Sequence, residues 1–171
     1  MKSCLKTGLV LTGVILAVLV ILALILPTTN GRNASVDTGL LRSDLAHLDD
    51  AVPLLKDVDK NLVAISKLGS EPKVNDMAWK TEIATLAAKI AVSHEALSEI
   101  EPPKIMEDIH ATILAASYNC TSGASKLNDY ASTLDTEELK RSGVLLKACS
   151  NSISEAVDMI NAITKPDQPA Q

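Results

Sequence analysis

The sequence predicts an all-α protein: an N-terminal transmembrane helix followed by an antiparallel, up-down-up-down four-helix bundle. Three observations predict it. Residues 8–26 form an uncharged apolar run (GLVLTGVILAVLVILALIL). Beyond it, apolar residues recur at spacings of three and four, the period of an amphipathic helix. Two breaks bearing Pro or Gly and a capping signal at Asp135 divide that pattern into four stretches of helical length with short connections, which favours antiparallel neighbours. No segment shows sustained strand alternation, and no internal repeat is present.

The apolar run is the first element. Its nineteen residues make a helix about 28 Å long, close to the hydrocarbon thickness of a bilayer. A cleavable signal peptide has an apolar stretch of only about 7 to 15 residues, so the run reads as an uncleaved signal-anchor. The competing reading is cleavage after Gly31, with Thr29 and Gly31 as a mediocre small-residue site. Lys2, Lys6 and the amino terminus precede the span and only Arg32 lies just after it, which keeps the N-terminus in the cytosol. The expected organisation is a cytosolic stub (1–7), the anchor (8–26), a polar tether (27–36), the bundle (37–164) and a polar tail (165–171). The chain is thus expected in the cytoplasmic membrane, single-pass, with its domain outside in the periplasm or at the cell surface. Gly13 and Ala17 form a small-xxx-small pair through which two anchors could meet as a homodimer.

The four helices follow in order. The first carries Leu41, Leu45, Leu48, Val52, Leu55, Leu62 and Ile65 on one stripe, with Pro53 inside it expected to kink or divide the helix. Gly69 and Pro72 end it. The second begins near Asn75 or Asp76 and presents Trp79, Ile83, Leu86, Ile90, Leu97 and Ile100 until Pro102-Pro103. The third presents Ile105, Ile109, Ile113, Ala116, Cys120, Leu127 and Tyr130. The fourth opens at Asp135-Thr-Glu-Glu138, a capping box in which cap and third-position acid satisfy each other's orphan amides. It continues through Leu139, Leu146, Cys149, Ile153, Ile160 and Ile163.

Cysteine positions sharpen this layout. A turn centred near residue 134 places opposite each other residues whose numbers sum to about 269, and Cys120 and Cys149 do so. Both lie on apolar stripes, and a compartment outside the cytoplasm permits oxidation, so a Cys120–Cys149 disulfide is expected. The competing reading is two buried free thiols acting as small hydrophobes. Cys4, before the apolar run, reads as an unmodified cytosolic thiol.

Composition narrows the function classes. Beyond the anchor, 14 basic and 21 acidic residues leave a net charge of −7. Nucleic acid and anionic lipid head groups need a basic face, so neither is an expected partner. One Trp, two Tyr and no Phe leave no aromatic platform for stacking on bases or sugars. There is no glycine-rich phosphate loop, CxxC, HExxH or ordered Ser-His-Asp set, and therefore no basis for an enzyme. Asn33-Ala-Ser35 and Asn119-Cys-Thr121 fit the glycosylation pattern, which recurs by chance and matters only in a eukaryotic secretory pathway.

The three histidines form the one candidate site. His47 and His94 mirror about the Gly69–Pro72 turn, and His94 and His110 about Pro102, which would gather all three in one membrane-proximal layer. Asp44 precedes His47 and Glu107 precedes His110 by three residues, the spacing that puts carboxylate and imidazole on one helix face. Asp158 and Met159 fall at the same level. His94, His110, Glu107 and His47 are therefore the candidate metal ligands, suited to zinc, copper or iron. Facing direction counts against them. With apolar stripes at a and d, His94 and His110 take boundary positions and His47 points to water. No cofactor is otherwise implied.

Glu101-Pro102-Pro103, His110 and Tyr118, ahead of an alanine-rich helical hairpin, resemble small single-anchor or lipid-anchored helical-bundle proteins of bacterial envelopes, a grouping without an assigned activity. The resemblance covers about 60 residues. A more distant similarity links the chain to plant cell-wall enzyme inhibitors, secreted four-helix bundles with a helix-to-helix disulfide, whose N-terminal disulfide hairpin it lacks. The expected function is a non-catalytic, membrane-anchored protein-interaction module with a protein partner, or alternatively a bundle that binds a small ligand or metal.

Overall fold

A computed structural model of the chain describes residues 42–164. The stub, anchor, tether, start of the first helix and polar tail lie outside the described residues, as do Asn33, Gly13, Ala17 and Cys4. Among the described residues no helix is long and apolar enough to cross a membrane. They form four α-helices and no strand. These are α1 (Arg42–Ser70), α2 (Met77–Ser98), α3 (Glu107–Thr133) and α4 (Thr136–Thr164), with a 3-10 turn at Lys104–Met106.

The helix ends follow capping chemistry. Asp76 caps α2, its side chain accepting from Ala78 N at 2.8 Å. Asp135 accepts from Glu137 N at 2.9 Å at the start of α4. The reciprocal half of the expected capping box is replaced. Thr133 Oγ1 accepts the Asp135 N–H at 3.2 Å, and Glu138 turns to Lys126 and Arg141 instead. Leu134 ends α3 in the left-handed region (φ 62°), a conformation a glycine would take without strain, and donates its N–H to Tyr130 O.

Two local expectations are corrected. α1 runs undivided through Pro53, because that residue lies on the exposed face. The carbonyl deprived of its donor, Asp49, belongs to an exposed residue, so water can satisfy it. Ile105, expected on the α3 stripe, is 59% exposed, and Met106 is fully buried in its place. The 3-10 turn carries Lys104–Met106 at three residues per turn, which shifts the apolar phase by about one position.

Helices adjacent in sequence pack against each other, and α1 also touches α3 and α4. Antiparallel pairing is fixed by side-chain contacts at several levels: Trp79 Nε1 to Leu68 O, His94 to Ser117, and Cys120 to Cys149. Buried apolar residues from all four helices form one core, among them Leu55, Leu62, Ile83, Ile90, Ile113, Leu127 and Ile153. Each such side chain contributes about 1.5–3 kcal/mol when taken out of water. The α3–α4 pair is the tightest. A Cβ on Gly123 would lie 2.8 Å from Leu146 Cδ2 and 3.0 Å from the Leu146 backbone nitrogen, so glycine is what lets these backbones approach. Beside it, Ser142 Oγ donates to Gly123 O at 2.8 Å.

The sulfurs of Cys120 and Cys149 lie at bonding distance, with Cα atoms 5.0 Å apart, as their sum about the turn predicts. The pair sits midway along α3 and α4. It therefore marks a natural division of the bundle into two halves.

Candidate functional site

One half holds the start of α1, the end of α2, the start of α3 and the end of α4 (residues 42–55, 90–119 and 151–164). All three histidines lie there. The sequence places ten acidic residues in this half against Arg42 and Lys104, a net charge of −8 with neutral histidines. The other half (56–89 and 120–150) holds nine acidic and ten basic residues, a net of +1. Essentially the whole negative charge of the bundle therefore sits at one end. The acidic side chains with described burial at that end, Asp49, Asp50, Glu95, Glu99, Glu101, Glu107, Asp108, Glu155 and Asp158, are all exposed.

Ion pairing accentuates the difference. Among the described residues every salt bridge lies in the other half: Lys126 with Asp129 and Glu138, Lys140 with Glu137, and Arg141 with Glu138. Of these, Lys126–Glu138 (2.9 Å) links α3 to α4. The acidic end has no such internal neutralisation among the described residues. Its field is left to act outward, over a distance of about 8–10 Å at ordinary ionic strength.

Two imidazoles lie buried beneath this acidic surface. His47 of α1 and His110 of α3 are each 5% exposed, and their rings meet edge to face with centroids 5.0 Å apart. Both nitrogens of His47 and Nδ1 of His110 have no hydrogen-bond partner among the described residues. The expectation that His47 faces water is thus corrected. α1 packs against three helices, and its buried face widens beyond a single stripe to include His47 next to Leu48, and Val58 next to Asp59. Burial pushes the pKa of His47 down, against a smaller upward pull from Asp50. Burial also lowers that of His110, and His47 adds to the lowering.

His94 stands apart from this pair. Its Nδ1 lies 2.8 Å from Ser117 Oγ, and that hydroxyl donates to Leu114 O at 3.0 Å. A hydroxyl has one proton, so with Ser117 donating to Leu114 the His94 Nδ1–H donates to Ser117. The His94 ring also meets the exposed Tyr118 ring edge-on at 6.1 Å. Ser117 is fully buried and already engaged, which makes it a structural acceptor for His94 and no accessible nucleophile.

The three histidines therefore do not share one layer. His94 pairs with Ser117, seven residues or about 10 Å along α3 from His110. Pairing about Pro102 would have been correct for a tight turn. Instead, residues 99–106 form an irregular connection with its own 3-10 turn, and the pairing observed across it is offset by seven residues, about two helical turns, from the mirror about Pro102. Of the four candidate ligands, His47 and His110 come together, His94 is held elsewhere, and Glu107 is exposed. Met159 does lie near the expected level, its sulfur 3.5 Å from Thr112 Oγ1, and Asp158 beside it is exposed. Among the described residues no group of three or more His, Cys, Asp or Glu is placed to hold a metal ion.

Asp59, in the other half, has no counterpart in the sequence reading. It is 4% exposed, and burial raises its carboxyl pKa to about 6. Only its position on an otherwise apolar face of α1, beside Val58 and one turn from Leu55 and Leu62, could have signalled this. The charge partition was equally legible, had the charges been sorted by level in the bundle and not summed along the chain.

No protein-family model matches the chain, and no curated protein or solved structure is significantly similar to it.

Proposed function

We propose that the protein is a non-catalytic interaction module, anchored in the cytoplasmic membrane by residues 8–26, that presents the acidic half of its bundle to a basic surface of a protein partner outside the cytoplasm. The observation that carries this reading is the charge partition, −8 on one half against +1 on the other. An evenly spread charge serves solubility. A charge gathered at one end and left without internal counter-ions attracts and orients an oppositely charged partner. The cysteine pair at bonding distance supports an oxidising compartment. The tether places the acidic half next to the bilayer, within reach of the juxtamembrane segments of other membrane proteins. Such segments are rich in Lys and Arg on the cytoplasmic side, so a partner outside must carry its basic surface on a folded domain.

The full chain, solubilised from membranes and used as bait, tests this against a variant carrying Glu99→Gln, Glu101→Gln, Glu155→Gln and Asp158→Asn. These positions are exposed and the amides keep the size of the acids they replace, so the bundle should stay folded. Wild type should recover a protein partner that the variant loses and that salt releases. Recovery of no partner above background, or equal recovery by both baits, would overturn the reading.

A further inference from the structure

We propose that the His47–His110 pair is an acid-operated latch: protonation of the imidazoles parts α1 from α3 and opens the acidic half of the bundle, while the half beyond the disulfide stays closed.

The geometry supplies the device. Two neutral imidazoles pack edge to face at 5.0 Å, an arrangement in which a ring edge meets a ring face without charge. Each ring is 5% exposed, and a proton added to His47, or to Nδ1 of His110, meets no acceptor among the described residues. A proton on both sets two like charges about 5 Å apart. Opening α1 relieves both penalties, because the rings then reach water beside many carboxylates.

Among the described residues no group around the rings neutralises an imidazolium without opening. On α1, Asp50 lies one turn from His47 but is exposed. On α3, Glu107 lies one turn before His110 and is exposed. α4 brings Asp158 to this level, again exposed, the α2–α3 connection carries exposed Glu101, and His94 of α2 is two turns away on Ser117. The described carboxylates that favour the charged rings, Asp50, Glu101, Glu107 and Asp158, are thus on the water side of the site. They stabilise imidazolium in the open form more than in the closed one.

The sign follows from linkage. The closed state holds these histidines below their ordinary value of 6.5, so the open state binds more protons whenever the pH is below about 6.5. The latch is closed above that value and weakens as the pH falls through it. A bundle half already strained by unneutralised negative charge is the half that gives way. This inference does not depend on any partner being found.

Residue-resolved hydrogen exchange on the full chain in detergent micelles, corrected for intrinsic exchange, tests the latch between pH 7.5 and 5. Amides of residues 46–55 and 107–113 should lose protection by at least about tenfold, while those of 60–68 and 124–131 keep theirs. A His47→Leu, His110→Leu double variant should lack the pH dependence, and a His110→Gln single variant should show it reduced. If the double variant fails to fold, imidazole NMR titration of wild type decides instead. Rings that titrate at the ordinary value without change in exchange would overturn the latch. So would equal loss of protection in the two halves, or a double variant as acid-sensitive as wild type.

Discussion

The two halves of the bundle share a core of the same aliphatic residues but differ in how their polar groups are satisfied. In the half around the α3–α4 turn, polar groups link helices: Ser142 to Gly123, Trp79 to Leu68, and Lys126 to Glu138, with the cysteine pair at its boundary. In the histidine half, the only side-chain hydrogen-bond links between helices among the described residues are His94–Ser117 and Thr112–Met159, and three ring nitrogens, both of His47 and Nδ1 of His110, stay without partners. Buried polar atoms that are paired hold a fold, and those left unpaired hold free energy that some change in conditions can release. The turn half has its own exceptions, the buried carboxyl of Asp59 and Oε2 of Glu138, but its cross-helix links are the more numerous, and the proposed docking and acid response both belong to the histidine half.

The largest expected effect comes from breaking the covalent boundary. Cys149→Ser, or reduction of the cysteine pair, removes a constraint on a loop of 29 residues' separation. On the chain-entropy model that constraint stabilises by about 3–4 kcal/mol, so the melting temperature should fall on the order of 10 °C in oxidising buffer. Equal melting with and without reductant would mean that the halves are not separated by a cross-link. Gly123→Ala comes next. Its methyl would collide with Leu146, including backbone, and overpacking of this kind costs about 1–3 kcal/mol. Chemical denaturation should show that loss, with hydrogen exchange accelerated first in α4 near Leu146. A variant as stable as wild type would show the α3–α4 approach to be looser than the geometry indicates.

Asp59→Asn has the opposite sign. The folded state holds this carboxyl at about 6 and the unfolded chain at about 3.8. A raised carboxyl contributes stability that is present below the unfolded value and lost as the pH rises through about 6. At pH 7.5 the buried charge is a cost, and its removal should stabilise by about 1–2 kcal/mol after allowance for solvent screening. At pH 4 the gain should vanish. The window overlaps that of the histidine pair, whose contribution runs the other way, so the two flatten the wild-type stability curve between them. Thermal melts of Asp59→Asn should therefore fall more steeply between pH 6.5 and 5 than those of wild type. Parallel curves would remove Asp59 as the opposing group. The smallest expected effect is Leu134→Gly. Relief of the positive φ should stabilise the turn by about 0.5–1 kcal/mol, read as a rise of a few degrees in melting temperature.

Most of the fold was legible because helical periodicity and breakers are local properties. Trp79, Ile83, Leu86, Ile90 and Leu97 are buried where the stripe placed them, and the cysteine sum located the α3–α4 register to the residue. The site was less legible because it depends on connections and on third neighbours. Across the irregular stretch 99–106 His94 lies two turns from His110, an offset no counting about Pro102 contains, and α1, in contact with α3 and α4, turns His47 inward. A pairwise stripe argument contains neither effect. Only the reciprocal half of the capping box departs, for a related reason: Asp135 caps α4 as expected, but Glu138 pairs with Lys126 across the interface.

Photo-crosslinking in intact membranes tests the interaction reading most directly. A photoreactive side chain at exposed Ala111, in the acidic half, is compared with one at exposed Val144, in the other. Neither substitution changes a charge. Crosslinks from position 111 to a protein with a basic outer surface, diminished by salt and absent from position 144, are the predicted result. Crosslinks from position 144 alone, or from neither position, would contradict the assignment of the acidic half as the docking end.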